Sequence, residues 1–107
     1  MAFTPITVTG EFLSSTGEPG VGRVTFLATS AMRQPAENMT IVPTEITATL
    51  SASGSFSVIL YATNDTGTVP QGVSYEVTER VRGAALNKYF ISIDKDAIGG
   101  TVDLADL

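Results

Sequence analysis

The chain has 107 residues, enough for one domain that buries about two-thirds of the surface its unfolded chain exposes. It carries 11 acidic and 6 basic residues, a net charge of −5, with no histidine and no cysteine. That balance excludes disulfides, thiolate chemistry and imidazole bases, and it repels phosphate backbones, so nucleic acid is not an expected partner. Charged residues make up only 16% of the chain, so Thr and Ser must supply much of the polar surface. The opening Met1-Ala2-Phe3-Thr4-Pro5 has no basic n-region, and no apolar run approaches the length of a membrane span. Neither a signal peptide nor a membrane helix is expected.

The hydrophobic period is two throughout, which marks half-buried strands rather than helices. The first alternating segment is Ile6 to Phe12, closed by the turn Ser14-Ser15-Thr16-Gly17-Glu18-Pro19-Gly20. Val24 to Thr29 follows. Residues 31–40 break the pattern and read as a loop of about ten residues, a length that in compact domains is often functional or mobile. Its methionines, Met32 and Met39, suit adaptable contacts and equally suit capping the end of a core. Ile46 to Leu50 and Phe56 to Leu60 flank Ser51-Ala52-Ser53-Gly54, which reads as a hairpin turn. A longer connection over residues 62–72 leads to Val73–Thr78, the cleanest alternation of all. Tyr89–Ile93 and Thr101–Leu104 complete the set, with a single helical turn expected at Asp94–Ile98, capped by Asp94.

About seven short strands separated by turns, with no long helix, predict an all-β antiparallel sandwich of immunoglobulin-like or transthyretin-like type, as one domain over residues 1–107. Periodicity alone leaves closure into a barrel open. The predicted inner faces hold Ile6, Val8, Phe12, Val24, Phe26, Ile46, Leu50, Phe56, Val58, Leu60, Tyr75, Val77, Ile91 and Ile93. The first and last strands are the expected sheet edges, where unpaired backbone groups offer a template to another chain.

The residues offer little chemistry. Serines 14, 15, 51, 53 and 55 lie in or beside turns, where serine is structurally expected. Glu76 and Glu79 are three apart on a strand and point to opposite faces, so they read as solvated charges rather than a catalytic pair. Asp94-Lys95-Asp96 has the spacing of a calcium-loop start, but Ile98 and Ala105 stand where ligands are needed. No cofactor or metal is expected, and the chain is not expected to be an enzyme. The candidate contact residues are Met32, Arg33, Met39, Tyr61, Asn64 and Asp65, on end loops over residues 31–43 and 62–72.

Several stretches in order resemble a known family. Ile6-Thr7-Val8-Thr9-Gly10-Glu11-Phe12-Leu13, a Gly-Glu-Pro turn and Gly22-Arg23-Val24-Thr25-Phe26 look like the first strands of a transthyretin-like or carboxypeptidase-regulatory-like sandwich. Leu50 to Val58 resembles its next hairpin. Leu60–Asp65, Tyr75–Arg80 and Gly99–Leu107 resemble N-terminal domains of minor tail or tail-fibre proteins from phages of actinobacteria. That resemblance implies a virion structural module with no catalytic residues, other virion proteins as partners, a homotrimer, and an N-terminal module of a longer chain or a short relative. A host-surface carbohydrate-binding module, with Tyr61 as its exposed aromatic, and a capsid decoration or head-fibre domain are the alternatives.

Overall fold

The computed structural model describes residues 3–107; Met1 and Ala2, the start of the segment without a basic n-region, lie outside the described residues. Among these residues nine strands form: β1 (Pro5–Glu11), β2 (Gly22–Ala28), β3 (Met32–Gln34), β4 (Met39–Ile41), β5 (Ile46–Thr49), β6 (Ser55–Tyr61), β7 (Tyr75–Val81), β8 (Asn87–Ile91) and β9 (Thr101–Asp103). β6-β1-β9 make one sheet and β5-β2-β7-β8 a second, with β3-β4 a separate hairpin. The all-β sandwich-like fold follows from the period-two pattern: alternate apolar residues of β1, β2, β6 and β7 enter one shared core. Among the described residues no helix is long and apolar enough to cross a membrane.

Where the pairing departs from expectation, long-range contacts decided it. β1 is not an edge but the centre of its sheet, antiparallel to β6 and parallel to β9. A parallel pair needs a long crossover, and nearly the whole domain lies between these two strands. The edges are β6, β9, β5 and β8. Residues 51–54 do form a turn, with Ser51 N–H donating to the Ser55 carbonyl, but the strands they join lie in different sheets. The turn is therefore an arch between the layers, not a hairpin. Gly54, at φ 80, fixes it by bringing its backbone against Phe12 and Pro19, where a side chain has no room.

The predicted inner-face residues lie in the core, with Phe12, Ile46 and Val58 only partly buried at its margin. Phe3, Ala28, Met32, Ala48, Ala62, Val73 and Leu104 join them. The strand predicted from Val73 begins instead at Tyr75, and Val73 is buried ahead of it. At Asp94–Asp96 the chain makes a turn in which the Asp94 carboxylate accepts the Asp96 N–H at 2.9 Å. The expected helical turn over Asp94–Ile98 does not form, because this local bond closes a tight turn instead; the short 3₁₀ turn begins only at Ile98, with Ala97 and not Asp94 at its N-cap position.

Candidate docking surface

Residues 32–41 form the β3-β4 hairpin rather than an open loop. Pro35 starts its 3₁₀ turn, and Asn38 ends it in the left-handed region at φ 54. The hairpin is locked to the 62–72 connection. Arg33 N–H donates to the Val69 carbonyl at 2.9 Å, Val69 N–H returns a bond to the Arg33 carbonyl at 2.8 Å, and the buried Gln34 Nε2 donates to Thr68 Oγ1 at 3.0 Å. The two end loops singled out in the sequence thus form one tip, and backbone bonds fix their relative position.

The six candidate residues divide sharply. Met32 is 0% exposed and faces the core, so it is not a contact residue; its place opposite Ile41 turns it inward with Gln34. Asp65 is also buried, and its carboxylate accepts Thr4 N–H at 2.8 Å and the Thr4 hydroxyl at 2.7 Å, stapling the start of the described chain to the tip. It is a structural group and not a contact. Asn64 is exposed, but its amide is committed on both sides, donating to Asp94 Oδ1 and accepting the Lys95 N–H. The Asn64 amide and the Asp96 N–H hold the Asp94 carboxyl below the usual carboxylate range. Arg33, Met39 and Tyr61 remain available at the surface.

Tyr61 lies beside a feature the sequence could not show. Edges β5 and β6 flank an apolar cavity of about 170 Å³ lined by Ile41, Val42, Ile46, Ile59, Tyr61 and Tyr75. Val42 and Ile59 are exposed beside it at 66% and 62%. Tyr75 closes its floor by donating its hydroxyl to the Tyr61 carbonyl at 2.9 Å. Burial pushes the Tyr75 phenol up to about 12. The seam offers two strand edges beside apolar side chains, an arrangement that receives an extended or apolar partner segment.

At the opposite end a second cavity of about 180 Å³ is lined by Glu11, Phe12, Glu79, Tyr89, Asp103 and Leu104. Glu76 and Glu79 do face opposite ways, but Glu79 is not a solvated charge. It lies on the Val77 side of β7, half-buried, and accepts hydrogen bonds from the Tyr89 hydroxyl and from Asn87 Nδ2. Burial, and then the Glu79 carboxylate, hold the Tyr89 phenol above the usual phenol range. Strand alternation placed Glu79 on the inner face, but only the arrival of β8 supplied the phenol that pairs with it. Among the described residues no three His, Cys, Asp or Glu side chains cluster as metal ligands.

No family model matches the chain, and neither the curated proteins nor the solved structures contain a significant match to it.

Proposed function

We propose that this domain is a non-enzymatic structural module of a phage tail, of the minor tail or tail-fibre kind, that attaches to neighbouring virion proteins. The family reading rests on the ordered resemblance of Ile6–Phe26, Leu50–Asp65, Tyr75–Arg80 and Gly99–Leu107. The observation that supports an attachment role is the β5-β6 seam: exposed Val42, Ile59 and Tyr61 stand beside two strand edges at a tip braced by the Arg33–Val69 bonds. Apolar side chains grouped at a rigid end suit a docking contact more than a solvated face.

Gold-labelled antibody against the domain, viewed on negatively stained particles of the encoding phage, is expected to mark the tail. Label on the head would favour the decoration or head-fibre alternative. Absence of the chain from purified virions would overturn the virion reading altogether. The carbohydrate alternative draws on the exposed Tyr61 ring, and is tested by retention on a glycan panel that Tyr61→Ala abolishes. The homotrimer that the resemblance implies is tested by light scattering of the isolated chain.

A further inference from the structure

The outer faces of the two sheets carry opposite charge. On the four-stranded sheet, strand register sets three rows across the outer face. Leu27, Glu76 and Phe90 form the row nearest the tip; Thr47, Thr25, Thr78 and Lys88 form the next; Thr49, Arg23 and Arg80 form the last. On the three-stranded sheet the corresponding rows are Tyr61 and Pro5, then Ile59, Thr7 and Thr101, then Ser57, Thr9 and Asp103, then Ser55 and Glu11. The first face holds three of the six basic residues of an acidic chain against one carboxylate. The charged residues in the rows of the second are both carboxylates, Glu11 and Asp103.

The basic face is unpartnered within the molecule. Arg23 and Arg80 sit directly opposite each other, and like charges so placed repel. Among the described residues the single salt bridge is Lys95–Asp96, on a distant turn, so neither arginine nor Lys88 has a carboxylate within ion-pair distance. Phe90 is 62% exposed at the other end of the same face.

We infer that the acidic face of one copy docks on the basic face of a second copy, with both tips pointing the same way. β5 and β6 share one side of the sandwich and β8 and β9 the other, as the cavities between them show. Displacing one copy along the sheet normal therefore places the Asp103 row over the Lys88 row and Glu11 over Arg23 and Arg80. The same displacement sets Ile59 on the side of Leu27. A stacking rotation of about 30° keeps the strands aligned across the contact, as it does between the two sheets of one sandwich. The molecule measures 50 × 26 × 18 Å along its principal axes, room enough for the roughly 800 Å² each partner buries in a standard interface.

The contact joins different surfaces of the two copies, and those surfaces lie on opposite sides of a two-layer fold. Such a contact stacks in an open series rather than closing on itself. It goes beyond the tail reading and does not depend on it, and it is distinct from a closed trimer.

Sedimentation of the wild-type chain at ~10 mM salt is expected to show a mass that rises with concentration, and to return towards the 11.2 kDa monomer near 1 M, where screening shortens to ~3 Å. Two folded variants separate the faces: Arg23→Gln with Arg80→Gln, and Glu11→Gln with Asp103→Asn. Each alone should self-associate about tenfold more weakly than wild type. Mixed, they should recover association as a capped one-to-one dimer, since each retains the face the other lacks. Thermal unfolding of each variant checks that it is folded; should one double variant fail to fold, Arg80→Gln and Asp103→Asn alone replace the pair. A wild-type chain that stays monomeric at low salt, a trimer whose mass is independent of concentration and salt, or variants that fail to associate on mixing would each overturn the proposal.

Discussion

Met32 and Met39 stand seven positions apart in a segment that reads as one loop, yet the fold gives them opposite environments. Met32 is 0% exposed in the core and Met39 is 49% exposed. Replacing Met32 by Ala removes three buried heavy atoms, worth about 0.8 kcal/mol each if counted as methylenes. The cavity left behind raises the total to about 3–4 kcal/mol, within the usual range for Met→Ala. The Arg33–Val69 bonds hold β3 against the 62–72 connection, so the hairpin is not free to collapse into the space. Met39→Ala should change stability by no more than about 0.5 kcal/mol. Urea unfolding measures both: the Met32→Ala midpoint should fall with an unchanged slope, and the melting temperature should drop by roughly 12–30 °C. Equal effects of the two substitutions would refute the assignment of Met32 to the core.

Asp65→Ala leaves the Thr4 N–H and hydroxyl without their acceptor, so it should cost about 2–3 kcal/mol in the same assay. A loss of ligand or partner binding with unchanged stability would restore Asp65 to the contact surface. Tyr75 and Tyr89 both hold their protons more tightly in the folded state than in the unfolded one. Their contribution is complete below the ordinary phenol value of 10.0 and is lost as pH rises from there towards the folded value, about 12 for Tyr75. Thermal stability should therefore fall across that alkaline window, and Tyr75→Phe with Tyr89→Phe should flatten the fall; an unchanged slope would contradict the burial of the phenols. Gly22→Ala would drive a Cβ into the Arg80 carbonyl oxygen at φ 148 and should cost more than about 3 kcal/mol. Gly83→Ala meets open space and should cost only the roughly 1–2 kcal/mol of its positive φ, read by the same denaturation curves.

The sequence by itself determined the class of fold and most of the core. Alternation such as Tyr75-Glu76-Val77-Thr78 marks a strand, because side chains on a strand switch faces at every residue. Inner-face residues such as Ile6, Phe26 and Val77 follow from that rule without knowledge of any partner strand. It also located the tip loops, since turn residues and broken alternation are local signals.

What tertiary structure decided is everything that depends on which segments meet. Nothing local in Ser51-Ala52-Ser53-Gly54 tells an arch between sheets from a hairpin within one; that follows from β5 pairing with β2 and β6 with β1. The central place of β1 depends on β9 returning from the far end of the chain. Met32, Asp65 and Glu79 carry side chains that suit a surface as well as an interior, and their burial was set by Ile41, Thr4 and Tyr89 arriving beside them. The separation of charge between the two outer faces has the same origin: period two assigns each charge to a face, but only strand order collects Arg23, Arg80 and Lys88 on one face and Glu11 with Asp103 on the other.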